Sequence, residues 1–194
     1  MKHLRKMNAR SICVLAGCVL VAAALIWAGV WYASAAFFAS RCQTYTEILR
    51  AAMPPVQNAV PEAQADNRMP VLSIDGKDFV ALIEFPAYNA ELPVCNDWGE
   101  PNRYPCRFAG SAYDGTLVIG STDGFGQMAF AEMLSVGDRV HLTDMTGSRY
   151  VYHITDIQIS ANANREMLCN GEGELTLFVK SAMDFDYRII RCKA

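Results

Sequence analysis

The sequence predicts an all-β domain that folds as a closed antiparallel or mixed barrel with short helical turns, preceded by one transmembrane helix. Residues 11–40 contain no Asp, Glu, Lys or Arg, which is typical of a membrane span. From Val71 onward, short apolar and β-branched segments alternate with turns that contain Gly, Asn and Asp. Only one helical turn interrupts these segments, and no strand–helix–strand repeat is present, which favours a barrel over a parallel sheet.

The uncharged segment, residues 11–40, is predicted to cross the membrane once. About 20 apolar residues cross a bilayer, so this segment is long enough even if it tilts. Four basic residues and no acidic residue precede it: Lys2, Arg5, Lys6 and Arg10. Basic flanks stay in the cytoplasm. We therefore expect residues 1–10 to form a cytoplasmic tail and the C-terminal domain to be extracellular, on a single-pass anchor in the cell membrane.

Two other interpretations of this segment remain open. Ala33-Ser34-Ala35 suits a signal-peptide cleavage site, although the apolar run is longer than the roughly 7–15 residues usual in a signal peptide. Leu15-Ala16-Gly17-Cys18 suits a lipoprotein cleavage site with Cys18 as the acylated residue. In that case the long apolar run after Cys18 would have no purpose. A permanent anchor accounts best for the length of the run.

The charge of the exported part makes nucleic acid an unexpected partner. Residues 1–40 hold four of the 17 basic residues and none of the 20 acidic ones, so 13 basic and 20 acidic residues remain, a net charge of −7. Such a surface repels a phosphate backbone. The hydrophobic content of 52% is enough for one sizeable core. No metal or other cofactor is expected, because the sequence has no C-x-x-C pair and its three histidines lie in the tail or within predicted strands.

Residues 41–69 are predicted to form a stalk helix and a linker. Apolar residues recur at helical spacing from Tyr45 to Met53, and Pro54-Pro55 should end that helix. The following segment is rich in Pro, Ala, Gln and Asn, a composition typical of linkers. We therefore expect the barrel domain to comprise residues 70–194 and to fold without the helix.

The strands of that domain follow from period-2 patterns and turn residues. A hairpin around Asp75-Gly76 opens the domain, a helical turn is expected at residues 127–134, and Thr146-Gly147-Ser148 should form a tight turn. The predicted strands are residues 71–74, 79–85, 92–94, 116–119, 139–145, 150–157, 174–179 and 187–192.

The order of short motifs in residues 70–194 resembles the sortases, the membrane-anchored cysteine transpeptidases of Gram-positive cell surfaces. The matching pieces are, in order, Leu92-Pro93-Val94, Pro105-Cys106, Gly110-Ser111, Leu117-Val118-Ile119-Gly120, Gly137-Asp138, Leu175-Thr176-Leu177-Phe178 and Arg188. This resemblance implies a β-barrel of about eight strands. It also implies an active groove at the ends of the strands that carry positions 121, 180 and 188.

Two of the three catalytic residues that the resemblance implies are replaced. Ser121 stands where sortases have the catalytic His, and Lys180 stands where they have the nucleophilic Cys, whereas Arg188 matches the family's Arg. In sortases the thiolate attacks a peptide carbonyl, the His transfers protons and the Arg stabilises the oxyanion. Lys180 cannot replace the thiol, because an amine that attacked a peptide would form a stable amide.

The resemblance therefore implies a membrane-anchored, sortase-like pseudoenzyme. It would bind sorting-signal peptides, or a surface or pilus-assembly protein, with Arg188 as the substrate-binding residue. The alternative is an active acyltransferase or hydrolase in which Ser121 and Lys180 form a dyad assisted by Arg188. That mechanism needs a neutral lysine near pH 7, and the neighbouring guanidinium could favour it.

Five cysteines follow the membrane segment: Cys42, Cys95, Cys106, Cys169 and Cys192. Cys95 and Cys106 could close a loop, but Pro105-Cys106 also recurs in sortases, where it does not by itself imply a bridge. Their disulfide state stays open. Cys169 and Cys192 are weak candidates for a nucleophile, because neither has a histidine that the sequence places beside it.

Overall fold

The computed structural model describes residues 9–58, 67–122, 127–181 and 186–194. Most of the predicted cytoplasmic tail and part of the predicted linker, residues 59–66, therefore lie outside the described residues. The chain divides into two compact units, Met1–Phe37 and Phe38–Ala194.

The described residues of the first unit, 9–37, belong to the helix α1 (Ala9–Ala52). From Cys13 onward this helix is strongly apolar, and the side chains of its most apolar stretch are exposed. By length and composition this helix can cross a membrane once, in agreement with the predicted span. The hydroxyl of Ser34 donates to the Val30 carbonyl at 2.8 Å. This polar group is thus satisfied within the helix, as an apolar surrounding requires.

The described residues of the second unit form ten strands, and eight of these form a closed ring. The strands are β1 (Gln57–Asn58), β2 (Leu72–Ile74), β3 (Lys77–Phe85), β4 (Ala90–Cys95), β5 (Cys106–Ala109), β6 (Leu117–Thr122), β7 (Arg139–Asp144), β8 (Ser148–Ser160), β9 (Leu175–Lys180) and β10 (Tyr187–Lys193). Around the ring the order is β3-β4-β5-β6-β9-β10-β8-β7, and β7 pairs with β3 to close it. The β4–β5 and β6–β9 pairs are parallel, so the predicted closed barrel is confirmed and is of the mixed kind.

Among the described residues, three short helical elements lie between the strands. Two are 3₁₀ turns, Pro86–Tyr88 and Ala129–Met133, and the second falls within the predicted helical turn. The third is α2 (Arg165–Cys169), which lies between the predicted strands 150–157 and 174–179. Asn164 explains its start, because the side-chain oxygen accepts a hydrogen bond from the Met167 N–H at 2.7 Å, which is the usual geometry of an N-cap.

The main core fills the barrel and includes the last turns of α1. Cys42, Tyr45 and Leu49 are at most 3% exposed and belong to the same buried cluster as Phe79 of β3. The Tyr45 and Phe79 ring centroids are 5.2 Å apart. This differs from the predicted stalk, because the apolar stripe of the helix is covered by barrel side chains. The compact unit accordingly begins at Phe38 rather than at residue 70.

A second, smaller cluster lies on the other face of the sheet. Its buried members are Val118, Leu168, Phe178 and Ile189. Along β6, Leu117 and Ile119 belong to the main core while Val118 belongs to this outer cluster. Side chains of successive strand residues point to opposite faces, so the two clusters mark the two faces of β6, β9 and β10.

Candidate functional site

The three predicted site residues lie on three neighbouring strands. Ser121 of β6 is in register with Val179 of β9, and Val179 is in register with Arg188 of β10. Ser121, Val179 and Arg188 alternate in step with the main-core residues of their own strands, so these three side chains share one face of the sheet. Lys180 is paired with Thr122 and Tyr187 instead, and this second row shares the opposite face.

Ser121 is buried and already hydrogen-bonded. Its side chain is 3% exposed, and its hydroxyl donates to the Pro101 carbonyl at 3.1 Å. The next residue supports the same contact, because the Thr122 N–H donates to the Pro101 carbonyl at 2.7 Å. The hydroxyl at the position of the family's His therefore attaches the end of β6 to the loop before β5.

Lys180 lies on the outer face. Its ammonium nitrogen is 5.5 Å from the centroid of the Tyr187 ring, a cation–π contact with its partner in register. A dyad requires the lysine nitrogen to accept a proton from the serine hydroxyl directly. Because the two side chains leave the sheet on opposite faces, the geometry does not favour the Ser121–Lys180 dyad.

Arg188 lines a cleft of about 300 Å³. One terminal nitrogen of its guanidinium donates to the Leu134 carbonyl at 3.0 Å, which holds the side chain against the 3₁₀ turn Ala129–Met133. Its Nε–H is buried and has no hydrogen-bond acceptor among the residues that the structure describes. An unmatched buried donor costs about 1–3 kcal/mol, so an acceptor that entered here would gain a strong hydrogen bond.

The cleft adds residues that the sequence did not single out. Its described lining comprises Met128, Ala129, Ala131, Glu132, Ile159, Val179, Ser181, Asp186 and Arg188. Ser181 and Asp186 face each other across the β9–β10 connection, where the Ser181 N–H donates to the Asp186 carbonyl at 2.8 Å. Neither belongs to a motif. The only available signal was the alternation along β9, which sets Val179 and Ser181 apart from Lys180.

The described lining of this cleft mixes one guanidinium with two carboxylates and apolar side chains. It contains no cysteine and no histidine. Over the described ranges no three His, Cys, Asp or Glu side chains are placed to hold a metal ion. In this arrangement Arg188 can donate a hydrogen bond beside an apolar wall. Such a site suits binding of a polar backbone.

The remaining candidate thiols are distant from this chemistry. Cys192 lies on β10 in the main core with no exposed surface, and burial raises its pKa to about 12. A thiol with such a pKa is not ionised near neutral pH and is a poor nucleophile. Cys169 ends α2 and packs against the outer cluster, on the other face of the sheet from the cleft.

Comparison with known proteins identifies the fold. No protein-family model and no curated protein matches the sequence. Solved structures do match, with a TM-score of 0.51 and 17% identity for the sortase D5 transpeptidase of Clostridium perfringens, over 60% of this chain and 78% of that one. Sortase A from Corynebacterium diphtheriae matches over 83% of this chain and 84% of its own, at 14% identity and a TM-score of 0.51. Sortase C of Clostridium perfringens, solved with the C-terminal cell wall sorting motif, covers 66% and 77% at 16% identity and a TM-score of 0.50. The barrel therefore has the sortase fold.

Proposed function

We propose that this protein is a membrane-anchored pseudo-sortase that binds an extended peptide in the Arg188 cleft without cleaving it. The peptide is a sorting signal or a segment of a surface or pilus-assembly protein. One observation carries the proposal: the buried Nε–H of Arg188 has no acceptor in the part of the chain that the structure describes, and the cleft beside it has neither a thiol nor an imidazole in its described lining.

The proposed lack of turnover follows from what each substituted side chain does. The Ser121 hydroxyl is used in a hydrogen bond to the Pro101 carbonyl, and the Lys180 ammonium is held over Tyr187 on the other face. Acyl transfer needs a nucleophile and a base within hydrogen-bond reach of each other. These contacts satisfy the two side chains in structural roles instead.

The proposed ligand follows from the donor and from the fold. A peptide carbonyl is a neutral acceptor that can approach a guanidinium without adding charge to a cleft that already holds Glu132 and Asp186. The sortase C structure, which has the same fold, was solved with a sorting motif. An extended peptide could likewise place one carbonyl at Arg188 and its side chains along the apolar wall.

The proposed location on the outer side of the membrane rests on the charges around α1. The basic residues of the tail precede the apolar segment, and acidic residues begin only after it, at Glu47. Basic residues resist translocation, so this order favours export of the barrel. The barrel would then bind the peptide at the cell surface.

Peptide binding can be measured with the full chain in detergent micelles and a fluorescent peptide that carries a sorting motif. We expect Arg188→Gln to weaken binding by about 10- to 100-fold, because a hydrogen bond to a charged group is worth about 1.5–3 kcal/mol. Arg139→Gln is the matched control, since it removes the same charge from an exposed position on β7. Equal loss in both variants would show that only the net charge matters.

The same mixtures test for turnover by mass spectrometry of the peptide and of the protein. We expect intact peptide and no acyl adduct. Cleavage that disappears in Ser121→Ala or Ser181→Ala would show that the protein is an active acyltransferase or hydrolase and not a pseudo-sortase. Absence of binding by a folded chain would refute peptide recognition altogether.

A further inference from the structure

Two cysteines lie side by side where β4 ends and β5 begins. Cys95 and Cys106 are register partners in this parallel pair, and the Cys95 N–H donates to the Pro105 carbonyl at 2.9 Å. Neighbouring strands are about 4.8 Å apart. Disulfides join residues whose Cα atoms are roughly 4.4–6.8 Å apart, so the backbone already has a spacing that suits a bond.

Both side chains are buried, and the Cys106 thiol donates a hydrogen bond to the Tyr104 carbonyl at 3.4 Å. Both are thiols in this structure, 8% and 0% exposed, and both belong to the main core. A hydrogen bond to Cys106, together with burial, raises the pKa of Cys95. The same hydrogen bond, assisted by the Glu100 backbone and the Lys77 charge, lowers the pKa of Cys106 against the opposing effect of burial. In the folded domain Cys106 is therefore the more acidic of the two thiols.

The loop between these cysteines, residues 96–105, supports the end of β6. Its Pro101 carbonyl accepts the hydrogen bonds from Ser121 and Thr122 described above. The Trp98 ring stacks on Phe178 at 5.3 Å, in the space that Gly120 leaves free, since a Cβ there would come within 2.6 Å of the indole. The position of this loop thus sets the position of the β6 end beside the cleft.

We propose that Cys95 and Cys106 form a disulfide bond in the exported protein, and that this bond fixes loop 96–105 against the end of β6. The proposal rests on the proposed location outside the cytoplasm, where disulfides persist. The oxidant is the disulfide of an exported thiol oxidoreductase, which acts while the chain folds and before β4 and β5 are buried.

The disulfide forms by thiol–disulfide exchange in two displacement steps. Either thiolate can begin the exchange; when Cys106 does so, its thiolate attacks one sulfur of the oxidoreductase disulfide, forms a mixed disulfide and releases the other sulfur as a thiolate. Cys95 then loses its proton and attacks the Cys106 sulfur of the mixed disulfide, so that the second oxidoreductase sulfur leaves. Two electrons pass to the oxidoreductase, and its two thiolates take up the two protons that the cysteines gave up.

Cys42 is the competing partner. It is 2% exposed on α1, in the same buried cluster as Cys95. The strand register distinguishes the two pairings, because Cys106 is fixed opposite Cys95 by the β4–β5 pair, whereas Cys42 lies on a helix that packs over the barrel. The proposal is therefore specific for the bond between the two strands.

The bond can be detected in the full chain extracted from cells that export it, after free thiols are alkylated in the intact cells and at lysis. Trypsin cleaves after Lys77, Arg103 and Arg107, so the two cysteines fall on separate peptides, 78–103 and 104–107. We expect these peptides to travel together until a reductant is added. Linkage should persist in Cys42→Ser and disappear in Cys106→Ser.

A second readout uses the purified chain in detergent, refolded in a glutathione redox buffer. We expect reduction to lower the melting temperature of the wild type and to leave that of the Cys95→Ser/Cys106→Ser variant unchanged. Recovery of both peptides singly alkylated from exporting cells, or linkage of peptide 78–103 to peptide 42–50, would overturn the proposal. Peptide binding measured on the same preparation reports separately on the proposed function.

Discussion

At the scale of single residues, Asp144 shows how a buried charge is kept in this fold. Its carboxylate has no exposed surface and lies at the end of β7. One oxygen accepts from the Thr146 N–H, the Thr146 hydroxyl and the Ser148 N–H, at 2.6–3.0 Å, and the other accepts from the Tyr113 hydroxyl at 2.9 Å. The side chain thereby shapes the β7–β8 turn and attaches the loop before β6 to it.

We predict that Asp144→Ala lowers the free energy of unfolding by about 3–5 kcal/mol, because several buried donors would lose their acceptor together. Urea unfolding followed by tryptophan fluorescence measures the loss. Asp156→Ala removes an exposed carboxylate from β8 and should change stability by less than about 0.5 kcal/mol. Comparable losses in the two variants would mean that the buried contacts contribute little.

Residue patterns predicted the strands on which Ser121, Lys180 and Arg188 lie, but not the directions in which their side chains point. The β-branched segments around them were sufficient to place β6, β9 and β10. Which residues share a face depends on register, which long-range pairing sets and a shift of one residue reverses. For the same reason Ser181 and Asp186, which line the cleft, gave no local signal.

At the scale of elements, the last turns of α1 belong to the barrel. Their helical stripe was visible in the sequence, but the surface that covers it is built from strands distant along the chain, so the sequence alone favoured a stalk. Arg50 near the end of the helix adds an ion pair with Glu91 of β4. One of these partners is well exposed, so the apolar contacts rather than this pair hold the helix in place.

We predict that Leu49→Ala destabilises the domain by about 2–5 kcal/mol, since Leu49 is fully buried. Ile48→Ala provides the matched control on the same turn, because Ile48 is 41% exposed, and it should cost far less. Thermal unfolding of the two variants measures the difference. If both melt like the wild type, the helix is a stalk and the domain begins at residue 70 after all.

At the scale of the whole molecule, buried tyrosines set an alkaline limit to stability. Burial raises the pKa of Tyr150 from its ordinary value of 10.0 to about 12. Burial likewise raises the pKa values of Tyr104, Tyr113 and Tyr152. In the folded protein these hydroxyls keep their protons at a pH at which the unfolded chain has lost them, so folding is penalised as the solution becomes more alkaline.

We predict full stability below about pH 10 and a steep loss as the pH rises through about 12. Melting temperature recorded together with tyrosinate absorbance over this range checks it, and Tyr150→Phe should reduce the loss. The prediction fails if tyrosinate forms fully while the melting temperature stays constant.

The parallel pairing of β6 with β9 constrains how the barrel can be made. Leu117 of β6 pairs with Leu175 of β9. The segments β7, β8 and α2 must therefore all be synthesised before β6 can pair with β9. Closing so long a loop is slow, and the edges of β6 and β8 have no neighbour in the ring until residues 175–193 arrive between them. A chain of this topology cannot complete its barrel progressively during synthesis, and two open strand edges are exposed to aggregation until the last strands arrive. The row that contains Ser121 and Arg188 is therefore the last part of the barrel to be assembled.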